Sequence, residues 1–551
     1  MSQSLSSLVG KRIHFIGIGG AGMSGLARIA LSHGITVSGS DAKDSSVVIA
    51  LSALGATVAT SHDASHVDGA DLVVYSTAIS ANNPERARAA ELKIPILTRA
   101  AALAVLMSDS KSVAVAGTHG KTTTSSMLAV ALQACAADPS FAIGGTITAS
   151  GSNAHRGTGE IFVAEADESD GSFIEYHPFA AIVTNVEHDH VDFFPTPESV
   201  AQAFREFAAT IKPEGFLTYC ADDAGAVALA GTTKNVQLVS YGVAEGADLH
   251  IDQIELMTMG SSARAVWNGK SVGHIELQVP GHHNLLNAAG VLATGLKLGF
   301  GAAELLTGLG TFRGTGRRFE LIGTVHGVRV IDDYGHHPTE IQVTLEAARR
   351  FAADGRLIVI FQPHRYSRTK AFAAAFAAVL DTADRAIVLE VYAASEKPIE
   401  GVTSKLITSQ MKKGEYIPNF VEVTDSVIEM AEPGDVIMTL GAGDGRLIVI
   451  FQPHRYSRTK AFSSQFAKVL DMADRAIVLE VYAASEKPIA GVTSRLITDA
   501  MSHGEYIPNF IEVTDSVIDS AEPQDVIITL GAGDVSSLAP IIVDGLSRRF
   551  G

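Results

Sequence analysis

Two glycine-rich turns, each between a predicted strand and a predicted helix, constrain the fold of this chain most strongly. The first turn spans 17–22, after the β-branched run Ile13–Ile16, and the second spans 117–120, after Val113–Ala116. A strand that passes through a tight glycine turn directly into a helix is typical of parallel, doubly wound α/β sheets. The chain is therefore predicted to contain at least two such sheets.

Further alternation of strands and helices extends this pattern towards the C-terminus. A third unit opens with the predicted strand Val328–Asp332 and the predicted helix Pro338–Ala353. The 551 residues are enough for three or four domains of roughly 100–200 residues each. We expect three doubly wound, Rossmann-like α/β domains with mostly parallel sheets, over 1–106, 107–318 and 319–551.

Residues 355–444 recur as 445–534, and 74 of the 90 positions are identical. Repeats often indicate a solenoid or a propeller, but those folds use shorter units that recur more often. Each copy here contains several different predicted strands and helices. The sequence therefore predicts a tandem duplication inside the third α/β domain.

The first glycine turn has the spacing G-x-G-x-x-G. Its glycines Gly17, Gly19, Gly20 and Gly22 allow a tight turn and a close approach of the backbone, and the helix that follows offers free N–H groups to a pyrophosphate. Asp41 lies nineteen residues beyond Gly22, at the end of the second predicted strand. The pattern predicts a nucleotide diphosphate as ligand, not necessarily a nicotinamide cofactor, and a purely structural turn is the alternative.

The second glycine turn is predicted to bind ATP. Lys121 can reach the β- and γ-phosphates, and the hydroxyl of Thr122 can face Mg²⁺. The spacing is shorter than in the common phosphate loop, but lysine followed by threonine at such a turn is a specific signal, with a chance helix cap as the alternative. The candidate loop residues are Gly117, Thr118, His119, Gly120, Lys121, Thr122 and Thr123.

Two acidic clusters end predicted strands of the same domain. The first, EADESD, runs from Glu165 to Asp170, and the second, EHDH, runs from Glu187 to His190. Both are expected at the carboxyl edge of the sheet, beside the phosphate loop. Mg²⁺ prefers hard oxygen ligands and tolerates an imidazole, so each cluster is predicted to supply a metal ligand. Solvated loop carboxylates are the alternative reading.

Polar pairs near the predicted joint between the second and third domains suggest further nucleotide contacts. Asn284 and Asn287 lie three residues apart at a helix start, where an amide can pair with adenine or can simply cap the helix. Arg317 and Arg318 follow a glycine-rich segment, and a guanidinium there can reach a γ-phosphate across the cleft.

Histidines and arginines follow two predicted strands of the third unit. The first group is DDYGHHP, from Asp332 to Pro338, and the second is HRYSR, from His364 to Arg368. Basic and imidazole groups at strand ends predict a site for an anion or a carboxylate. Basic residues on an ordinary surface are the alternative.

Composition excludes some classes of partner. The net charge of −18 argues against nucleic acid, because phosphate backbones require a basic surface. The polar N-terminal segment does not resemble a signal peptide, and no apolar run reaches the length of about 18 residues that a membrane span needs. Two cysteines, Cys135 and Cys220, imply no disulfide framework. We expect a cytoplasmic protein without a membrane partner, whose oligomeric state the sequence leaves open.

The order of GTHGKTT, EADESD, TNVEHDHVD, PGHHNLLNA and FRGTGRRFE along the chain resembles the Mur ligase family. The segments GIGGAGMSG, DDYGHHPTE and FQPHRYSRT resemble the branch that joins L-alanine to UDP-N-acetylmuramate in peptidoglycan biosynthesis. The resemblance covers almost the whole chain except one surplus copy of the repeat. It implies an ATP- and Mg²⁺-dependent carbon–nitrogen ligase whose three domains bind the UDP-sugar, ATP and the amino acid in that order.

The resemblance also implies roles for individual residues. For the UDP-sugar these are Gly17, Gly19, Gly20, Gly22, Met23 and Asp41. For ATP they are the loop residues 117–123 with Asn287, Arg318 and Asp333, and for the metal they are Thr122, Glu165 and His190. Amino-acid contacts fall on Tyr334, His336, His364, Arg365 and Arg368, and the implied catalytic residues are Lys121, His190, Arg318 and His336.

Three other functions remain as alternatives. A nicotinamide-dependent oxidoreductase would explain residues 17–22 but not the phosphate loop. A recycling ligase that attaches a peptide to UDP-N-acetylmuramate shares the HHPT element. A non-catalytic or impaired nucleotide-binding variant is suggested by the duplication.

The two copies of the repeat are predicted to compete for one place beside Val328–Asp332. Both carry the same strand and the same histidine–arginine group, at His364 and at His454. The first copy follows the helix Pro338–Ala353 almost directly, and short connections favour local docking. We therefore expect the first copy to form the working site, while the closing helix, about 536–549, either returns past the second copy or remains with it.

Overall fold

The computed structural model divides the chain into two compact units, Met1–Gly441 and Ala442–Gly551. The described residues are 4–41, 46–76, 79–148, 150–325, 327–394, 396–418, 422–423, 426–427, 430–441, 447–471, 473, 475–484, 486–521, 526–530 and 534–550. All statements about elements, contacts and sites refer to these residues.

Sixteen α-helices lie in the described part of the chain. They are α1 Ala21–Ser32, α2 Ser46–Ala53, α3 Pro84–Glu91, α4 Arg99–Leu106, α5 Lys121–Ala134, α6 Pro197–Ala209, α7 Ala224–Thr232, α8 His282–Lys297, α9 Ala302–Thr311, α10 Pro338–Ala352, α11 Tyr366–Leu380, α12 Lys405–Thr408, α13 Tyr456–Leu470, α14 Arg495–Thr498, α15 Phe510–Ser520 and α16 Leu538–Phe550. Short 3₁₀ helices cover Leu5–Leu8, Ala64–Val67, Ser172–Glu175 and Asp534–Ser537.

The described strands number twenty-five. They are β1 Arg12–Ile16, β2 Thr36–Ser40, β3 Thr57–Ala59, β4 Leu72–Tyr75, β5 Ile96–Thr98, β6 Lys111–Ala116, β7 Ser140–Ile147, β8 Ser152–His155, β9 Ile161–Glu165, β10 Ala180–Val183, β11 Phe216–Cys220, β12 Gln237–Gly242, β13 Leu249–Leu256, β14 Ser261–Trp267, β15 Lys270–Leu277, β16 Glu320–Val325, β17 Val328–Asp333, β18 Leu357–Phe361, β19 Arg385–Val388, β20 Gly414–Tyr416, β21 Val436–Leu440, β22 Leu447–Phe451, β23 Arg475–Val478, β24 Gly504–Tyr506 and β25 Val526–Leu530.

The first sheet is parallel and has the strand order β3-β2-β1-β4-β5. Strands β2 and β3 lie on one side of β1 and strands β4 and β5 lie on the other, so the order in which the chain adds strands reverses at β1. The crevice beyond the carboxyl end of β1 is therefore the position where open α/β sheets bind ligands. Gly17 to Gly20 occupy this crevice, and α1 begins immediately after them. The prediction of a doubly wound, parallel α/β sheet is confirmed here, and ligand binding at the glycine turn stays a prediction.

The middle sheet has ten strands in the order β15-β14-β13-β12-β11-β10-β6-β9-β7-β8. Strand β6 is parallel to β9 and β10, and the chain adds β7–β9 on one side of it and β10–β12 on the other, so the carboxyl end of β6 is the reversal point of this sheet. The phosphate-loop sequence lies there, between β6 and α5. The antiparallel extension β13–β15 did not emerge from the sequence, because a strand exposed on one face has a weaker pattern than a buried parallel strand.

The third sheet has the order β16-β17-β21-β18-β19-β20, and every pair except β16–β17 is parallel. Strand β21 lies between β17 and β18, so the strands of the first repeat copy complete the sheet that β17 begins. Helix α10 packs on this sheet through Ile341, Leu345 and Ala348, which are buried in the same core as Val359 and Met438.

The second repeat copy forms a sheet of its own, with the order β24-β23-β22-β25. Its strand register repeats that of the first copy, since Ile448 pairs with Ile527 as Ile358 pairs with Ile437. Helix α16 packs in this unit through Leu538 and further apolar residues. The structure therefore divides the range 319–551, which the sequence had assigned to one domain, and the closing helix remains with the second copy.

Among the described residues, no helix is both long enough and apolar enough to cross a membrane.

Because each copy has its own core, matched substitutions are expected to act locally. Ile358 and Ile448 occupy equivalent strand positions and are both fully buried. Ile358→Ala should lower the free energy of unfolding of the first unit by about 2–5 kcal/mol, through lost burial and a cavity. Hydrogen exchange read by mass spectrometry should then show faster exchange in β18 and β21 and unchanged exchange in β22 and β25.

Ile448→Ala should reverse that pattern. If it accelerates exchange in β18 and β21 as strongly as in β22 and β25, the two sheets do not unfold as separate cores.

Candidate active site

Two glycines with positive φ shape the loop between β6 and α5. Gly117 has φ +134° and Gly120 has φ +81°, conformations that favour glycine. A Cβ atom at Gly117 would lie 2.0 Å from Oγ1 of Thr184, and one at Gly120 would lie 2.9 Å from Oδ1 of Asn287. The loop therefore needs both glycines for their conformation and for space, and it brings Asn287 of α8 close to the start of α5.

Lys121, the first residue of α5, is folded back over the loop. Its Nζ donates to the carbonyl oxygens of Gly117 at 2.8 Å and Thr118 at 3.0 Å, and forms an ion pair with Oε2 of Glu168 at 2.8 Å. Burial alone would lower the pKa of Lys121, but Glu168 and Asp167 raise it above its ordinary value. The ammonium group therefore remains charged at neutral pH.

Side chains with oxygen or imidazole atoms that can coordinate a metal ion lie beside Lys121. Thr122 Oγ1 donates to Oε1 of Glu165 at 3.0 Å, and burial raises the pKa of Glu165. Asp167, Glu168 and His190 each present one donor atom within 4.8 Å of the others. Nδ1 of His190 is buried and has no hydrogen-bond partner among the described residues. These donors have the chemistry that Mg²⁺ accepts, mainly hard oxygens with one imidazole.

A cavity of about 160 Å³ opens between the phosphate loop and the third sheet. Seven of the ten residues predicted to bind ATP line it: His119, Gly120, Thr122, Thr123, Asn287, Arg318 and Asp333. They come from α5 and its preceding loop, from α8, from the segment after α9 and from the end of β17. The structure thus brings together residues that lie more than two hundred positions apart in the sequence.

Arg318 and Asp333 lie on the third-domain side of this cavity. The guanidinium of Arg318 stands 5.1 Å from the ring centroid of Tyr334, and its Nη1 lies 3.6 Å from Oε1 of Glu340. Burial raises the pKa of Asp333 to about 6. Its carboxylate accepts hydrogen bonds from the backbone of Gly335 at 2.7 Å and of Phe319 at 2.8 Å, so it fixes the segment that carries Arg318.

His336 and His364 face each other across the third-domain strand ends, with ring centroids 5.4 Å apart. Nδ1 of His336 lies 3.0 Å from the carbonyl oxygen of Tyr334. Burial lowers the pKa of His336 to about 3 and that of His364 to about 2, so both rings are neutral at neutral pH. His364 also stacks on Tyr392 at 5.5 Å.

The two arginines of the HRYSR segment contact the middle domain. Arg368 donates through Nε and Nη2 to both carboxylate oxygens of Asp189, at 3.0 and 3.1 Å, and both side chains are 3% exposed. Arg365 pairs with Asp192. Burial alone would raise the pKa of Asp189, but Arg368 and His190 lower it well below its ordinary value. Sequence reasoning placed both arginines on the amino-acid side and did not identify these carboxylate partners.

The glycine turn of the first domain borders a second cavity. Gly17 has φ +80°, and the backbone N–H of Gly19 donates to Oδ2 of Asp41 at 2.8 Å. Asp41 therefore stabilises the turn itself. The cavity has a volume of about 300 Å³ and reaches the middle domain. Its lining includes Gly20, Gly22, Met23, Ser76, Arg99, Asn153, Glu165 and Asp167.

A buried carboxylate that sequence reasoning missed supports the same edge of the first sheet. Glu85 is fully buried, and it accepts hydrogen bonds from Ser40 at 2.5 Å and pairs with His66 at 2.8 Å. Burial alone would raise its pKa, but His14, Ser40 and His66 lower it to about 2. Asn83-Pro84-Glu85 in the sequence signals a helix start, and only the structure reveals the surrounding histidines.

His119, Glu187 and His337 form another group with donor atoms within 4.8 Å of one another. Nδ1 of His337 accepts a hydrogen bond from the backbone of Thr339 at 3.4 Å as the N-cap of α10. A metal-binding imidazole donates a hydrogen bond from the N–H of its second ring nitrogen, whereas here Nδ1 of His337 accepts one from the backbone N–H of Thr339. We therefore interpret this group as a structural joint between the middle and third domains.

A phosphate loop at the reversal point of one parallel sheet, closed over by residues of a second sheet, defines a nucleotide-dependent α/β enzyme. Three family models match: "Mur ligase family, catalytic domain" over 12–111, "Mur ligase middle domain" over 115–295 and "Mur ligase, glutamate ligase domain" over 317–443. The chain belongs to the Mur ligase family, whose members are ATP-dependent acid–amino-acid ligases. The third match ends before the second repeat copy begins.

Individual relatives agree with this assignment. A UDP-N-acetylmuramate–L-alanine ligase of Paenarthrobacter aurescens is 49% identical over 436 residues, which cover 79% of this chain and 94% of the relative. The crystal structure of a UDP-N-acetylmuramate–alanine ligase from Thermotoga maritima aligns with a TM-score of 0.66 and 31% identity, covering 79% and 96%. A murein peptide ligase from Psychrobacter arcticus aligns with a TM-score of 0.60 and 26% identity, covering 79% and 96%.

The ion pair between Arg368 and Asp189 yields a testable difference between the repeat copies. Arg368→Leu leaves a buried carboxylate without its partner, which should cost about 3–5 kcal/mol in the free energy of unfolding of the first unit. The equivalent Arg458 is exposed, so Arg458→Leu should change stability by less than about 0.5 kcal/mol. Urea unfolding followed by hydrogen exchange measures the first effect in β10 and β18 and the second effect in β22 and β23 of the second unit.

Replacing both partners, with Arg368→Leu and Asp189→Leu together, should restore part of the lost stability because no charge remains buried. Equal losses from Arg368→Leu and Arg458→Leu would contradict the assignment of the buried pair to the first copy.

Proposed function

We propose that this chain joins L-alanine to the carboxylate of UDP-N-acetylmuramate, converting ATP to ADP and phosphate in peptidoglycan biosynthesis. The observation that carries the proposal is the cavity in which the phosphate loop faces Arg318 and Asp333 of the third domain. The high identity to L-alanine ligases over nearly their full length supports the choice of substrates. ATP and the sugar nucleotide are cytoplasmic metabolites, so we also propose a cytoplasmic location.

Each of the three domains binds one of the three substrates. Residues 1–106 hold the UDP-sugar at the turn 17–22, with Met23 and Asp41 supporting it. Residues 107–318 hold ATP on the loop 117–123, with Asn287 at the adenine. Within 319–551, Tyr334 and His336 hold L-alanine together with His364 of the first repeat copy.

Mg²⁺ would be held by Thr122 and Glu165 on one side and by His190 on the other. The fit rests on the oxygen pair Thr122–Glu165 and on the buried, unpartnered Nδ1 of His190. When bound, the ion neutralises charge on the phosphate oxygens. Lys121 at the phosphate loop and Arg318 at the cavity wall contribute fixed positive charge.

The first chemical step activates the carboxylate of UDP-N-acetylmuramate, which is a poor electrophile. A carboxylate oxygen of the substrate attacks the γ-phosphorus of ATP, the bond to the β-phosphate oxygen breaks, and ADP leaves with that electron pair. The product is an acyl phosphate, in which phosphate is a good leaving group. Catalysis of such a transfer is mostly positioning and charge stabilisation, which Lys121 and Arg318 supply.

The second step forms the amide bond. The neutral amine of L-alanine attacks the acyl carbon, the tetrahedral adduct loses a proton, and inorganic phosphate leaves. His336 is neutral at neutral pH because burial lowers its pKa to about 3. Its Nδ1 faces the carbonyl of Tyr334, so Nε2 carries the lone pair, which accepts a hydrogen bond from the amine of L-alanine, while the departing phosphate takes up the proton.

Arg368 and Asp189 keep the third domain closed over the middle domain during both steps. Closure excludes water, which would otherwise hydrolyse the acyl phosphate. Because Arg368 is already paired with Asp189, we assign it to positioning His364 through the 2.8 Å contact between its Nη1 and Nδ1 of the imidazole.

An assay of inorganic phosphate release tests the proposed function. We expect release only when ATP, UDP-N-acetylmuramate and L-alanine are all present, and a larger kcat/KM for L-alanine than for the other amino acids of a panel. A preference for a tripeptide over L-alanine would instead identify a recycling ligase. ATP binding without release would identify an impaired variant.

Lys121→Ala should reduce ligation at least about 100-fold, because it removes a cation from the phosphate loop. UDP binding should persist with an unchanged Kd, since the glycine turn 17–22 lies in another domain. Isothermal titration with UDP and a phosphate-release assay measure the two effects.

Lys270→Ala, at an exposed hairpin of the same domain, is the matched control and should retain ligation. Retained ligation in a folded Lys121→Ala variant would remove the phosphate-loop assignment.

His364→Ala should lower kcat/KM for L-alanine by about tenfold or more, as expected for loss of one hydrogen-bonding group at a buried site. The equivalent change in the second copy, His454→Ala, should leave kcat/KM within about twofold. Ligation kinetics of this matched pair test which copy forms the amino-acid site. A greater loss from His454→Ala would show that the second copy does.

A further inference from the structure

Arg99 presents a cation to the cavity between the first and middle domains. It is the first residue of α4 and directly follows β5, at the carboxyl edge of the first sheet. The hydroxyl oxygen of Thr98 accepts a hydrogen bond from the backbone of Ala101 at 3.1 Å and so fixes the start of this helix. Arg99 makes no hydrogen bond or ion pair with any residue in the described part of the chain, although it lines the cavity.

The glycine turn of the first domain is shaped to admit this side chain. A Cβ atom at Gly22 would lie 2.9 Å from Cδ and 3.4 Å from Nε of Arg99. Any larger residue at position 22 would displace the arginine. The last glycine of the G-x-G-x-x-G pattern therefore has a second purpose here, because it lets a guanidinium approach the N-terminus of α1.

The electrostatic surroundings of Arg99 lack a close counter-charge. Burial alone would lower the pKa of Arg99, but Tyr176, Asp167 and Asp170 raise it, together with Glu165. These groups act over a distance, since none pairs directly with the guanidinium. A partly buried cation with five N–H donors and no hydrogen bond is costly, and a bound oxyanion would relieve that cost.

We infer that Arg99 binds an oxyanion of the acidic sugar nucleotide in this cavity, either its diphosphate or its carboxylate. The inference rests on the proposed function and assigns a substrate-binding residue to it. A guanidinium can form two parallel hydrogen bonds to either group, which an ammonium cannot do. The cavity has a volume of about 300 Å³ and borders Gly20 and Gly22 of the first domain and Gly144 and Glu165 of the middle domain.

Equilibrium binding to the full chain tests this assignment without requiring turnover. Arg99→Gln should raise the Kd for UDP-N-acetylmuramate by about 10- to 100-fold, as expected for a lost hydrogen bond to a charged group. Arg99→Lys should raise the Kd by a smaller factor, because lysine keeps the positive charge and loses only the paired hydrogen bonds of the guanidinium. Arg88→Gln, an arginine of the first domain that pairs with Asp68 and Glu91, is the control and should bind like the original chain.

Two further ligands distinguish the anions. A similar rise in Kd for UDP and UDP-N-acetylglucosamine would assign Arg99 to the diphosphate, whereas a rise confined to UDP-N-acetylmuramate would assign it to the carboxylate. The KM for ATP should remain unchanged, which a general loss of structure would not allow.

Unchanged Kd values for all three ligands in a folded Arg99→Gln variant would overturn the inference. That result differs from failure of the proposed function, in which the original chain itself would not bind UDP-N-acetylmuramate.

Discussion

The buried ion pair between Arg368 and Asp189 is the contact on which the arrangement of the active site depends. It joins α11 of the first repeat copy to the loop after β10 in the middle domain, and both side chains are almost inaccessible to solvent. A pair buried this deeply is costly to break, because either charge alone would remain desolvated. The third sheet is therefore held where Arg318 and Asp333 line the same cavity as the phosphate loop.

This contact also explains how nearly identical sequences have different environments. In the first copy, α11 places Arg368 on Asp189 and Arg365 on Asp192. The copies share the same segment, but among the described strands those of the first copy join the sheet that contains β17 and those of the second copy form a separate sheet. Because the chain leaves α10 and enters β18 after a few residues, the first copy docks with little loss of loop entropy. The second copy forms its own core with α16.

Much of the fold was predictable because glycine turns and buried parallel strands leave clear patterns. The predicted strands Ile13–Ile16 and Val328–Asp332 are each one residue shorter than β1 and β17, and the predicted helix Pro338–Ala353 ends one residue after α10. What could not be predicted are contacts between segments far apart in the chain. The acidic residue Asp189 stood out in the sequence, but nothing local indicates that it faces Arg368. Likewise Glu85 reads as a helix-start residue, and its burial among His14, His62 and His66 arises only from tertiary packing.

The central claim is that the closed site transfers the γ-phosphoryl group of ATP to the substrate carboxylate before the amide bond forms. Oxygen-isotope transfer tests it most directly, with UDP-N-acetylmuramate labelled by ¹⁸O in its carboxylate. If an acyl phosphate forms, one labelled oxygen leaves with the inorganic phosphate, because that oxygen bridges carbon and phosphorus in the intermediate. We expect phosphate that carries one ¹⁸O for each amide bond formed. Unlabelled phosphate accompanying amide formation would contradict the claim.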